Sequence, residues 1–272
     1  MDTRTILLDV GGSYIKRPDG TAIPIPSEGS REAIAAALCA AVGRHPQACP
    51  GNPRRIGIAI PGPFDFKEGI FLMKHKFEAV YGERFAELAG IPERVSVKYI
   101  HDVIAVLEGS VRIMNLYSGN TALVSLGTGL GFALAIKGQV RYGPTGSPAD
   151  VVWNRPWKDG ILEDYASAKA VRNAWVAAGG SPKDSAATVA LRAYEGNQAA
   201  VDAYAMIGET LGEALQGLLE EHNVDTLLFS GQVSKSLILM EDNLRKYLKG
   251  IKITLAPAGA VFEGISGLFE NN

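Results

Sequence analysis

Apolar positions in the first quarter of the chain fall in three short runs, residues 4–10, 13–17 and 21–25, broken by Gly11-Gly12 and by Pro18-Asp19-Gly20. Proline fixes φ and glycine accepts positive φ, so this pattern predicts an antiparallel meander. From Ser30 onward, Ile34, Ala37, Leu38, Ala41 and Val42 recur at helical spacing, and Pro46 with Pro50 closes that segment. Residues 56–60 form an apolar run ending at Pro61-Gly62-Pro63. A second run, 95–100, leads into His101-Asp102, after which Ile104, Leu107 and Val111 line one helical face. The predicted order is β-β-β-α-β-(α)-β-α.

The rhythm restarts at Asn120 with an apolar run, the turn Gly127-Thr128-Gly129 and a second apolar run. Several helices are expected between Gly160 and His222, then a strand over 226–229, a turn at Gly231, a helix, a strand over 251–255 and a closing helix from Gly259. Two halves with one rhythm indicate an internal duplication by pattern. A chain of 272 residues is long for one layered core, so two joined domains with a cleft are expected.

Lys plus Arg (27) nearly balances Asp plus Glu (29), which argues against nucleic acid or an anionic membrane as partner and for a small molecule. No apolar stretch reaches the roughly 20 residues of a membrane span, and with no charged segment followed by a long apolar one before the first strand, no secretory leader is expected. Cys39 and Cys49 form no Cys-x-x-Cys pair and sit near no metal-spaced histidines. A reduced, cytoplasmic protein without zinc is expected.

The two glycine turns carry the candidate chemistry. In each, small residues follow an apolar strand, so backbone N–H groups can approach an anion without obstruction. Gly127, Gly129 and Gly131 do not make a dinucleotide fingerprint, since Phe132 stands where the third glycine belongs and an apolar strand, not a helix, follows. No Gly-Lys pair exists to make a Walker loop. Both turns also read as plain hairpins. Asp9, at the end of an otherwise aliphatic run, favours function, because a buried carboxylate needs a cation or hydrogen-bond donors, and a hydrated Mg²⁺ would meet it. Asp102 reads either as a helix cap or as a general base.

Taken in order, these segments resemble the ROK family of bacterial sugar kinases and related repressors, within the actin, hexokinase and heat-shock chaperone ATPase superfamily. Asp9-Val10-Gly11-Gly12-Ser13 with Lys16 is similar to its first phosphate motif. Residues 57–63 with Gly69 resemble its Pro-Gly-Pro segment, and His101-Asp102 stands where the family has Asn-Asp. Residues 126–131 resemble the second phosphate motif, 162–167 the Leu-Glu-x-Tyr-x-Ser segment and 229–234 the adenosine motif.

The resemblance implies a duplicated actin-like ATPase (ribonuclease H-like) α/β fold, with domains at 1–118, completed by helix 259–272, and at 119–258. It implies Asp102 as the base. Asp9, Gly11, Gly12, Ser13, Lys16, Gly127, Thr128, Gly129, Gly231 and Gln232 would hold the nucleotide, with Asp9 organising Mg²⁺ through water. Pro61, Gly62, Lys74, His101 and Glu163 would meet a sugar, and the protein would be a homodimer.

The family's zinc loop is missing, since residues 152–160 hold no Cys or His, and its Gly-Glu-x-Gly-His motif becomes Gly146-Ser147-Pro148-Ala149-Asp150. Lys74-His75-Lys76-Phe77 could replace lost sugar donors or form a solvated basic loop. The implied function is ATP-dependent, glucokinase-like phosphorylation of a hexose or hexose derivative. The alternatives are a catalytically weakened sugar- or nucleotide-binding regulator and a polyphosphate-dependent glucokinase. A repressor's N-terminal helix-turn-helix is not expected ahead of the first strand.

Overall fold

The computed structural model describes residues 5–43 and 55–270. Arg4, the helix-closing Pro46 and Pro50, and Cys49 lie outside the described residues. In chain order the elements are β1 (Thr5–Val10), β2 (Tyr14–Lys16), β3 (Ala22–Pro24), α1 (Arg31–Ala41), β4 (Arg55–Ile60), β5 (Phe64–Asp65), β6 (Ile70–Phe71), α2 (Phe85–Leu88), β7 (Ser96–His101) and α3 (Asp102–Ile113). There follow β8 (Thr121–Leu126), β9 (Leu130–Ile136), β10 (Gln139–Val140), β11 (Pro156–Trp157), β12 (Gly160–Ile161), α4 (Leu162–Tyr165), α5 (Ala168–Ala177), α6 (Ala186–Tyr194) and α7 (Gln198–Glu221). The chain closes with β13 (Thr226–Ser230), α8 (Glu241–Tyr247), β14 (Lys252–Leu255) and α9 (Ala260–Gly267). Short 3-10 segments occupy Glu78–Val80 and Val233–Leu239.

The chain divides into two compact units. One takes the residues through Met114, Tyr142–Ala149 and those from Ala258 on; the other takes Asn115–Arg141 and Asp150–Pro257. The first unit's sheet has the order β3-β2-β1-β4-β7, and the second's has β10-β9-β8-β13-β14. In both, the first three strands in sequence form an antiparallel meander and the next two run parallel to the first. The duplication inferred from the apolar rhythm is therefore a duplication of sheet topology.

In the first unit, Ile56, Ile58 and Ile60 of β4 join Leu8 and Val10 of β1 in a core with Ile34 and Leu38 of α1. Ser30 caps α1, its hydroxyl accepting from Ala33 N–H at 3.3 Å. Side chains alternate across a strand, so Gly57 faces the other way, and there Ile265 of α9 fills the space a Cβ would need. α9 also lies directly on α3: a Cβ at Gly109 would collide with the Ala260 carbonyl, and one at Gly264 with the Ala105 carbonyl. Helix backbones that approach this closely exclude side chains at the crossing. In the second unit, α7 buries Tyr204, Ile207, Leu211, Leu215 and Leu219 against β8, β9 and β13. Among the described residues, no helix is long and apolar enough to cross a membrane.

Because Gly264 has carbonyl atoms of α3 where a methyl group would go, Gly264→Ala is expected to lower unfolding free energy by about 3 kcal/mol, the upper part of the overpacking range. Ala36→Ser on the outer part of α1 should cost well under about 1 kcal/mol. Urea denaturation of the two variants checks the contrast.

Candidate active site

Three parallel strands of the first unit end at one edge of its sheet. Register sets Asp9 of β1 beside Ala59 of β4, and Ile60 of β4 beside His101 of β7. Asp9, the Pro61-Gly62-Pro63 corner and the His101-Asp102 pair therefore follow adjacent strand ends, the edge at which open α/β sheets take ligands.

The first glycine turn joins β1 to β2, with Val10 paired to Ile15. Gly11 N–H donates to the Tyr14 carbonyl at 2.9 Å, whereas the N–H groups of Gly12 and Ser13 have no acceptor among the described residues. The second turn joins β8 to β9, with Leu126 paired to Leu130. Gly127 N–H donates to the Gly129 carbonyl at 3.0 Å, and Thr128 and Gly129 N–H have no acceptor among the described residues. Each turn thus leaves two consecutive N–H groups available, the arrangement that makes an anion-binding nest. Lys16 reaches back from β2 to Asp9, its Nζ 3.5 Å from Oδ2.

Asp9 is one-fifth exposed. Burial raises its pKa, the charge and hydrogen bond of Lys16 lower it, and the charge of Asp102 raises it, for a net upward displacement. A carboxylate so poorly compensated fits a divalent cation. No group of three or more His, Cys, Asp or Glu side chains is gathered among the described residues, so water and phosphate oxygens would complete the shell of a Mg²⁺ held there.

Asp102 is the first residue of α3, and His101 holds the cap position. Val103 N–H donates to Asp102 Oδ1 at 2.7 Å, and His101 Nδ1 lies 2.9 Å from the same oxygen. Nδ1 is also 3.2 Å from Val103 N, but a nitrogen cannot donate to one and accept from the other. Nδ1 therefore donates to Asp102 Oδ1 when it carries a proton and accepts Val103 N–H when it does not. Oδ2 has no partner among the described residues, and about a third of the side chain (35%) is open to solvent. Burial pushes the Asp102 pKa up, but the charge and hydrogen bond of His101, the Val103 N–H and the charge of Lys76 together bring it below the usual carboxylate range.

His101 was expected to meet a sugar. Its ring is held on one side by Phe66, centroids 5.7 Å apart, and faces the bare Cα of Gly62 with its Cδ2–Nε2 edge. Pro61 and Gly62 thus lie at His101, and His101 at Asp102. Lys74 is exposed, its ammonium 5.4 Å from the Tyr81 ring centroid. Two residues on, Lys76 turns inward over Gly12, where a Cβ would stand 3.3–3.4 Å from Lys76 Cδ, Cε and Nζ. The order of charges in Lys74-His75-Lys76 does not reveal which lysine faces the site. Phe77 decides, because its fully buried ring fixes the preceding residue.

In the second unit, Glu163 enters at the start of α4 and its Oε2 accepts Leu130 N–H at 2.7 Å, packed against the bare Cα of Gly129. This carboxylate braces the glycine turn, a contact to which residue spacing gave no clue. Ala168 N–H, at the start of α5, holds the Gly127 carbonyl at 2.9 Å. Ser230 pairs with Ser125, so Gly231 and Gln232 leave β13 beside this turn. Gly231, with φ 91°, packs its Cα on the Leu126 carbonyl, where no side chain fits.

The family model for ROK proteins matches residues 3–258. The chain belongs to the ROK family. Its fold is accordingly the actin-like ATPase fold, and solved ROK structures superpose on it nearly end to end. A ROK family glucokinase from Streptomyces griseus, solved with glucose and AMPPNP, is 22% identical with a TM-score of 0.77, over 97% of this chain and 98% of that one. An inorganic polyphosphate/ATP-glucomannokinase from Arthrobacter sp. strain KM is 19% identical with a TM-score of 0.69, over 97% of each. A ROK family transcriptional regulator, a homolog of the E. coli MLC protein, is 20% identical with a TM-score of 0.70, over 97% of this chain and 77% of that one. No curated protein matches the sequence.

His101 lowers the Asp102 pKa, so the sign of its effect is fixed. A carboxylate held below its unfolded value of about 3.9 contributes stability above that pH and loses it as pH falls through the folded value. His101→Phe should raise the Asp102 titration midpoint, read from side-chain ¹³C shifts, and move acid unfolding to higher pH. An unchanged midpoint would contradict the hydrogen bond.

Proposed function

We propose that this ROK family protein transfers the terminal phosphoryl group of ATP to a hydroxyl of a hexose or hexose derivative. The observation that carries the reading is the state of Asp102. One oxygen accepts Val103 N–H and lies against His101 Nδ1 and the other is free, at the strand edge that also holds Asp9 and the open N–H groups of Gly12 and Ser13.

In this reading Asp102 Oδ2 takes the proton of the acceptor hydroxyl as that oxygen bonds to phosphorus. The bond from phosphorus to the bridging oxygen breaks, and its electron pair leaves with ADP. A carboxylate with a lowered pKa is ionised at neutral pH and ready to accept that proton. Its modest basicity suits a loose transition state, in which the hydroxyl needs orientation more than full deprotonation. Gly12 and Ser13, and Thr128 and Gly129, supply backbone donors to phosphate oxygens, while Glu163 keeps the second turn in shape. Gly231 and Gln232 stand where the nucleoside would be held. A bound Mg²⁺ would neutralise phosphate charge beside Asp9. Support also comes from the likeness to the Streptomyces griseus glucokinase across nearly the whole chain.

Purified protein with Mg-ATP and a panel of neutral and N-acetylated hexoses is expected to phosphorylate at least one of them. Asp102→Asn should then lower kcat by about 10²–10⁴ with nucleotide affinity retained. Binding of Mg-ATP without turnover on any sugar would reject the kinase reading in favour of a sensor.

A further inference from the structure

Lys76 stands at a place the kinase reading leaves unassigned. Its last three heavy atoms lie along the bare Cα of Gly12, Nζ 3.4 Å from where a Cβ would be. It is half-buried, while Lys74 and His75 on the same segment are exposed. Among the described residues it has no ion pair within 4.0 Å and no hydrogen bond. Asp9 is occupied by Lys16 at 3.5 Å, and Asp102 Oδ1 by His101 and Val103.

The chain is strained to hold this arrangement. Phe77, immediately after Lys76, is in the left-handed region at φ 56°, ψ 24°, which is costly for a bulky side chain. Its ring is wholly buried, 5.3 Å from that of Phe71, and its N–H donates to the Ser27 carbonyl at 2.6 Å. Those contacts keep the segment in register and leave Lys76 directed at the turn.

Three groups of positive polarity thus lie at one turn: the Lys76 ammonium, beside Gly12 Cα, and the acceptor-less N–H groups of Gly12 and Ser13. Only an anion satisfies all three. We infer that Lys76 is a catalytic residue whose ammonium binds the phosphoryl group in transfer. This rests on the kinase reading. The donors it shares are those of the phosphate turn, which favours the nucleotide's terminal phosphoryl over an anionic group on the acceptor. As the phosphorus leaves ADP for the acceptor oxygen, Lys76 would neutralise an equatorial oxygen throughout and would lose no proton. Its charge also helps hold the neighbouring Asp102 as carboxylate.

Calorimetric titration with Mg-AMPPNP and with Mg-ADP separates these roles, because only the first carries the terminal phosphoryl group. A charge-assisted hydrogen bond is worth about 1.5–3 kcal/mol, so Lys76→Met should weaken Mg-AMPPNP about tenfold or more and Mg-ADP less than about twofold. Lys76→Arg should recover most of the loss, and all three proteins should unfold at the same temperature. Equal changes for both nucleotides, or none, would overturn the assignment. A loss confined to the KM of an acceptor would also overturn it, by moving Lys76 to the sugar. Failure of the wild type to bind either nucleotide would reject the kinase reading itself, and Lys76 with it.

Discussion

The first unit depends on a contact made without side chains. Gly109 of α3 meets Ala260 of α9, and Gly264 of α9 meets Ala105 of α3, backbone against backbone. α3 begins with Asp102, so the position of the candidate base is set partly by a helix from the far end of the chain. Ile265 extends the same contact to the sheet by filling the space above Gly57, and Lys98 ties β7 to the end of α9 through the Leu268 carbonyl at 2.8 Å. Dispersion and apolar burial at such close range outweigh the poor helix propensity of glycine.

On that frame, the two sheets repeat one order of strands and put a glycine turn at the same place in each. The turns differ in what surrounds them. The first has carboxylates from β1 and α3 and cations from β2 and the segment ending at Phe77; the second has Glu163 and the start of α5. One topology thus serves two tasks, with specialisation carried by side chains outside the repeated strands.

Much of this was legible in the residues. Apolar runs and turn residues gave the meander at β1–β3, the helix opening at Asp102 and the late strands β13 and β14, because each depends on local period and on glycine or proline at the break. The ROK motifs, in order, gave the family. What stayed hidden depends on contacts far apart in sequence. Residue type and spacing did not show that His101 also lies with Nδ1 2.9 Å from Asp102 Oδ1, or that Glu163 Oε2 also accepts Leu130 N–H. Lys74 and Lys76 are the same residue type two positions apart, and only the buried ring of Phe77 separates their roles.

The glycines at positions 12 and 129 carry a further implication. Neither adopts positive φ, so an alanine at either would suit the hairpin backbone. A methyl group would press on the flexible end of Lys76 in the first case and collide with Glu163 in the second. These glycines are spacers for side chains that arrive from elsewhere in the chain. Positions 129 and 163 should therefore drift as a pair in evolution: a lineage that abandons the glutamate is released to fill position 129, and one that keeps it is not.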